Sequence, residues 1–301
     1  MTRALSRTAL PLVAAFAVTV ASSTVPATAS VGSRAAVRVA SVRSAVATAG
    51  YDIVDIAGGV HPYGQAQSYG NLLGRALSAP ILGMAQTPDK KGYWLVGNDG
   101  GVFAFGDAKF YGSTGGRHLN KTITGIESTP SGNGYWLVAG DGGIFAFGDA
   151  NFYGSTGNIH LNKRIVDIAS TPTGHGYWLV ARDGGIFAFG DAAFYGSTGA
   201  IRLNQPIVAM ETSFAGDGYW LVAADGGIFS FGNSPFHGST GALRLVQPIV
   251  GMARTPSGNS GYWLVANDGG IFSFGTAAYE GSLAGHPIAG GQVVGLTAVA
   301  G

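Results

Sequence analysis

Cysteine is absent from the whole 301-residue sequence. That excludes thiol catalysis, thiolate-bound zinc and disulfide or redox switching. Charge is scarce too: Asp, Glu, Lys and Arg make up 11% of the chain, with a net charge of +1. No run of Lys or Arg stands out, so nucleic acid is not an expected partner. Glutamate is limited to Glu127, Glu211 and Glu280, none of them paired in sequence. The six histidines share no common repeat position, and no two stand at helical metal-ligand spacing. A nucleophilic serine needs a partnered base, and no Gly-x-Ser-x-Gly elbow occurs. These absences predict no catalytic constellation, no metal and no cofactor.

The first 29 residues read as an address rather than as structure. Arg3 and Arg7 form a positive front, Leu10 to Val20 an apolar stretch too short to span a bilayer, and Ala27-Thr28-Ala29 a small-residue cleavage site before Ser30. This predicts a secretory signal peptide over 1–29 and a secreted, extracellular chain, free or associated with the cell wall, with no membrane attachment after cleavage; an uncleaved membrane anchor is the alternative. Residues 30–49, rich in Ala, Val, Ser and Arg, are expected to be a flexible linker. The competing reading is a short strand with Val37 and Val39 on one face.

What the sequence has in abundance is repetition. Trp94, Trp136, Trp178, Trp220 and Trp263 recur at spacings of 42, 42, 42 and 43, the last lengthened by Ser260. A fixed period of this size is the signature of a repeat architecture. Each unit carries Gly-Tyr-Trp-Leu-Val, then Asp-Gly-Gly, then Ile-Phe-x-Phe-Gly or a close variant. Two strand-length runs joined by Asp-Gly are a strong hairpin signal, because the turn needs a positive φ that Gly tolerates. Leu137 and Val138 are adjacent, as are Ile144 and Phe145. Both faces of such a sheet should therefore be covered.

A further strand is expected to lead each hairpin, starting at Ile81, Ile123, Ile165, Ile207 and Ile249, with the Tyr-Gly-Ser-Thr-Gly stretch as a weaker fourth strand. Gly50 to Ile81 is a worn copy of the same unit, with Asp52 in the Trp position. Six units thus open at Tyr51, Tyr93, Tyr135, Tyr177, Tyr219 and Tyr262. Val293–Ala298 matches the leading strand Ile249–Arg254 but has no hairpin after it, while the first unit has a hairpin and no leading strand before it. Joining the two hides both edges. The predicted fold is all-β, a six-bladed β-propeller over 50–301 closed by the C-terminal strand. A β-solenoid is the alternative, but it would need caps at both ends.

The string Gly-Tyr-Trp-Leu-Val-x-x-Asp-Gly-Gly-Ile-Phe-x-Phe-Gly-Asp-Ala-x-Phe-Tyr-Gly-Ser-Thr-Gly resembles the repeats of a family of exported actinobacterial proteins. The resemblance covers about residues 50 to 301. In that family such arrays stand alone or beside cell-wall-hydrolysing and other secreted catalytic modules, so it implies an exported propeller-like array but hardly a reaction. More loosely, the Asp-Gly-centred unit is similar to lectin propellers of the tachylectin type, which bind one sugar per blade; this is an analogy of fold.

Several repeated residues could carry binding. Asp99, Asp141, Asp183, Asp225 and Asp268 suit turn formation, or a carboxylate ring for calcium or sugar hydroxyls. Asp107, Asp149 and Asp191 follow the second hairpin strand. The five Trp suit packing between units, or sugar stacking. The better candidates lie in and just after the Tyr-Gly-Ser-Thr-Gly stretches: Tyr111, Ser113, Thr114 and Asn120; Tyr153, Ser155, Thr156 and Asn162; Tyr195, Ser197, Thr198 and Asn204; and Ser239 and Thr240. Their hydroxyls and amides can hydrogen-bond a polar ligand, and a flanking Tyr can stack on it. The same residues also suit a polar outer strand or turn. Asp52, Asp55 and His61 in the irregular first unit are the one enzymatic candidate cluster, with a decayed closing unit as the simpler explanation.

The function expected from these residues is a non-catalytic, secreted module that binds carbohydrate or cell-wall polymer through weak repeated sites, their multiplicity supplying avidity. An extracellular protein-interaction scaffold is the alternative, and a propeller hydrolase or lactonase the remaining one.

Overall fold

The computed structural model describes residues 49–300. The expected signal peptide and the linker up to residue 48 lie outside these residues, as does the alternative strand around Val37. Ala49, assigned to the linker above, already belongs to the first strand. No helix among the described residues is long and apolar enough to cross a membrane.

The fold is all-β: among the described residues, eighteen strands form six three-stranded antiparallel sheets. The first hairpin is β1 (Ala49–Asp55) and β2 (Val60–Gly64). Then come β3 (Ile81–Gln86), β4 (Gly92–Gly97) and β5 (Val102–Gly106), and β6 (Ile123–Ser128), β7 (Gly134–Ala139) and β8 (Ile144–Gly148). β9 (Ile165–Ser170), β10 (Gly176–Ala181) and β11 (Ile186–Gly190) make the fourth sheet, and β12 (Ile207–Thr212), β13 (Gly218–Ala223) and β14 (Ile228–Gly232) the fifth. The sixth holds β15 (Ile249–Arg254), β16 (Gly261–Ala266) and β17 (Ile271–Gly275). A single 3₁₀ turn, Ala289–Gly291, precedes β18 (Val293–Ala300). The expected leading strands therefore start where the sequence placed them, and β18 pairs antiparallel with β1, from Ala49 opposite Ala300 to Asp55 opposite Val293.

The sequence pattern accounts for each sheet. The central strand, Gly-Tyr-Trp-Leu-Val-Ala in β7, is buried along its whole length. Its continuous apolar run reflects cover on both faces. The link to β8 is Gly140 to Gly143, and Gly142 adopts φ 77° there. A Cβ at Gly142 would collide with the Thr156 hydroxyl packed against it, so Gly is required on both counts.

The Tyr-Gly-Ser-Thr-Gly stretch is not a fourth strand. Gly112, Gly154, Gly196 and Gly238 take φ between 132° and 142°, outside the β region. Their stretches are held instead by side chains. The Trp136 indole N–H donates to the carbonyl of Asn151 at 2.7 Å, and Trp94, Trp178, Trp220 and Trp263 repeat this bond in their own units. From the next unit, the Tyr177 hydroxyl donates to Gly154 O at 2.6 Å and accepts from the amides of Tyr153 and Gly154.

The same tyrosine bond recurs from Tyr135 to Gly112, Tyr219 to Gly196, Tyr262 to Gly238 and Tyr93 to Gly70, and the first unit's Tyr51 makes it to Gly281 of the last. Core packing runs the same way. Each Trp is 0% exposed and packs at a steep tilt against the next unit's Tyr, with ring centroids 5.4 to 6.0 Å apart, Trp263 against Tyr51 included. The Trp are thus core, not platforms. Burying each one removes about 150–250 Å² from water, roughly 4–6 kcal/mol gross at ~25 cal/mol per Å². The leading strands touch in the order β3, β6, β9, β12, β15, β18 and back to β3.

Candidate functional site

The repeated acidic residues prove to be fasteners. Asp99, Asp141, Asp183, Asp225 and Asp268 each accept a bond of 2.9 to 3.1 Å from the amide two residues on, at Gly101, Gly143, Gly185, Gly227 and Gly270. Asp149 and Asp191 accept from the hydroxyls of Thr129 and Thr171 at 2.9 Å.

The predicted binding residues separate into distinct environments. Thr114, Thr156, Thr198 and Thr240 are buried, and each donates to a turn carbonyl, at Asp99, Asp141, Asp183 and Asp225. They hold the chain together and do not face solvent. The hydroxyls of Tyr111, Tyr153 and Tyr195 donate to Gly132, Gly174 and Gly216 of the following unit, which ties these rings to the protein. Ser113, Ser155 and Ser239 are half-buried and Ser197 exposed, as are Asn120, Asn162 and Asn204. One groove of about 390 Å³ brings Asn120 together with Asp141, Phe145 and Ser155. The site thus pairs a link from one unit with a stretch from the next.

Aromatic surface is supplied by residues that the sequence reading passed over. Phe110, Phe152, Phe194 and Phe236 are 60–61% exposed, and Tyr279 holds the same position in the last unit at 62%. Each stands immediately after the carbonyl gripped by its own unit's Trp, and within two residues of the Gly gripped by the next unit's Tyr. The rings project from a clamped backbone.

Of Asp52, Asp55 and His61, only Asp55 and His61 come together. Asp55 is fully buried and accepts from the amides of Ala57 and Gly59, both at 2.9 Å, and from His61 Nε2 at 2.9 Å, closing its own hairpin. Asp52 turns instead to Gln86, whose Nε2 donates to Asp52 Oδ2 at 2.8 Å. Burial in the Trp position pushes the Asp52 carboxyl up to about 7, against the pull of that bond.

A second site lies where the six leading strands converge. A cavity of about 230 Å³ between them takes in Glu127 of β6, Asp167 of β9, Glu211 of β12 and Thr297 of β18. It shares Glu127, Glu211 and Thr297 with a mouth of about 470 Å³ that adds Gln86, Lys90, Phe214 and Arg254. Burial pushes Asp167 up to about 7 although the amides of Met210 and Ile168 donate to it at 3.0 and 2.9 Å. Glu211 also rises to about 7 through burial, opposed by Arg254, whose Nε lies 3.4 Å from Glu211 Oε1 without hydrogen-bond alignment. Burial raises Glu127 as well, while the Ser170 hydroxyl donates to it at 2.8 Å. Arg254 sits over the Phe214 ring, 5.2 Å from its centroid. Burial lowers Lys90, and Glu211 and Glu127 pull the other way.

These three carboxylates are far apart in sequence, and none is a candidate site residue there. The signal was a departure from the repeat: Glu127 and Glu211 occupy the position that Ala85, Ala169 and Ala253 hold in other units. Among the described residues, no three His, Asp or Glu side chains come close enough to hold a metal ion. No protein-family model and no curated protein matches this chain.

Proposed function

We propose that this chain is a secreted, six-bladed β-propeller that binds a repetitive carbohydrate, such as a cell-wall polymer, without transforming it. Ring closure is supported by the pairing of β18 with β1, the return of the leading strands to β3, and the Tyr51 bond to the last unit. Export rests on the charge, apolar stretch and small-residue site of the first 29 residues. Kinship with the exported actinobacterial repeat proteins rests on the repeated string itself.

The observation that carries the binding reading is the recurrence of a large exposed aromatic ring, Phe110, Phe152, Phe194, Phe236 and Tyr279, on a backbone fixed from both sides. Scattered exposed apolar residues need no explanation, but the same ring presented five times does. Rigid aromatic surface is suited to the apolar face of a sugar, and the groove that holds Asn120 and Ser155 to its hydroxyls. Ordering costs little there, because the platform is already formed. Weak sites at regular intervals then act together on a polymer whose own units repeat.

The test is co-sedimentation of the purified protein with insoluble peptidoglycan and a panel of insoluble polysaccharides. Saturable pelleting with one polymer, at several sites per chain and competed by its soluble fragments, is the expected result. Failure to pellet with any of them overturns the reading.

A further inference from the structure

The units are near copies, so residues that break the repeat are informative where they gather in space. They gather at one mouth of the central cavity. Lys90 stands where other units have Gly132, Gly174, Gly216 and Gly258; Phe214 stands where they have Pro88, Pro130, Pro172 and Pro256. Glu127 and Glu211 replace alanine, and Arg254 follows one of those alanines on β15. All five line the same 470 Å³ mouth, together with Gln86.

Arg254 Nε and Thr297 Oγ1 at this mouth lack hydrogen-bond partners, and so do Gln86 Oε1 and the Lys90 ammonium, whose demands are opposite. Gln86 is only 7% exposed, and with its amide nitrogen committed to Asp52 its Oε1 accepts no hydrogen bond. It calls for a donor. Lys90 forms no ion pair or hydrogen bond through its ammonium among the described residues, so it calls for an anion. Lys90 also holds φ 62°, the only non-glycine residue with positive φ among those described. Its neighbours in the repeat relieve that conformation with glycine at φ 72° to 98°. A strained lysine kept in a glycine position matches the pattern of strain retained at binding sites.

We propose that this mouth is a single binding site for a small zwitterion, an α-amino acid or the free end of a short peptide, with its carboxylate on Lys90 and its ammonium among Gln86, Glu127 and Glu211. A plain anion would meet the Glu127 and Glu211 carboxylates, and a plain cation would meet Lys90 and Arg254. A ligand with both charges pairs its carboxylate with Lys90 and supplies Gln86 Oε1 with an N–H donor beside the Glu127 and Glu211 carboxylates. The site is distinct from the repeated aromatic rings and does not depend on the glycan reading.

Calorimetric titration tests this with glycine, L-alanine and glycylglycine, against propionate and ethylamine as the same skeleton lacking one charge. The expected result is one saturable site per chain for a zwitterion, with propionate and ethylamine at least about tenfold weaker, a difference that a lost charge contact readily supplies. Lys90→Gly restores the residue of the other units and should keep the fold while abolishing binding. Gln86→Leu should weaken binding about tenfold or more by removing the acceptor, and Glu127→Gln serves if either variant fails to fold. Equal binding of propionate or ethylamine overturns the proposal. So does the absence of saturable binding up to about 10 mM, or binding unchanged in Lys90→Gly.

Discussion

The Tyr51 hydroxyl donates to the carbonyl of Gly281 at 2.7 Å and accepts from the amide of Glu280, joining positions 230 residues apart. The bond is the same one that every other unit makes to its immediate predecessor in the chain. The long-range contact is therefore an ordinary unit interface that happens to join the two ends of the repeat array.

Tyr51→Phe keeps the ring packed against Trp263 but removes the hydroxyl, leaving Gly281 O and Glu280 N without it. A loss of about 1–2 kcal/mol is expected, read as a lower urea midpoint. Faster amide exchange should follow in β1 and β18 but not in β7. Tyr177→Phe, at an interior interface, should cost a similar amount without that local exchange signature.

Stability should rise as the solution is acidified from pH 8 to pH 5. Asp52, Asp167 and Glu211 are held at about 7 in the folded protein, above the ordinary carboxylate range they regain on unfolding. Between about pH 4 and 7 the folded state therefore binds more protons than the unfolded one, and stability falls as pH rises through that window. Each such group contributes on the order of a few kcal/mol. Asp191 and Asp217 sit below their ordinary values through hydroxyl and amide donors, so their contribution is lost on further acidification below about pH 4. Urea midpoints at pH 5 and 8 check this, and Asp52→Asn should flatten the difference. A higher midpoint at pH 8 than at pH 5 would refute the assignment.

Phe152→Ala and Phe194→Ala remove exposed rings, so each should leave the stability within about 0.5 kcal/mol of the parent. If the rings bind polymer, each loss should weaken pelleting several-fold, and removing both should compound the effect. Trp136→Ala is the contrast: it should cost at least about 3 kcal/mol of stability.

Lys90→Gly should raise the thermal midpoint. Relief of the left-handed lysine is worth about 1–2 kcal/mol, partly offset by the freer unfolded chain that glycine gives. Differential scanning calorimetry reads the net shift, expected near 0.5–1 kcal/mol in favour of the variant.

Much of the fold was legible because the repeat aligns every unit with its neighbours. The isoleucine that opens each leading strand, the Asp-Gly turn and the unit left without a leading strand could all be read by adding the period. The pairing of β18 with β1 follows from the same alignment. The Tyr-Gly-Ser-Thr-Gly stretch was misread as a strand because its apolar and hydroxyl content suits one; the bonds that hold it come from Trp and Tyr side chains in two units. Thr156 was expected to face a ligand, yet a hydroxyl carries no mark of which way it turns, and the Gly142 beside it fixes it inward. The cavity mouth was missed for a different reason. Lys90, Glu127, Glu211 and Arg254 come from four units, and only packing of the leading strands brings them together. Their common feature in sequence is that each departs from the repeat, which reads as noise until the units are placed in space.

Among the described strands, the one that completes the first sheet, β18, is the last to be made. During synthesis, β1 waits with an open edge while five further units emerge. Completion of that sheet is therefore gated by arrival of β18: a chain stalled or clipped before Val293 would keep that edge free to pair with other copies. The protein's most hazardous interval ends only when Val293–Ala300 reaches β1.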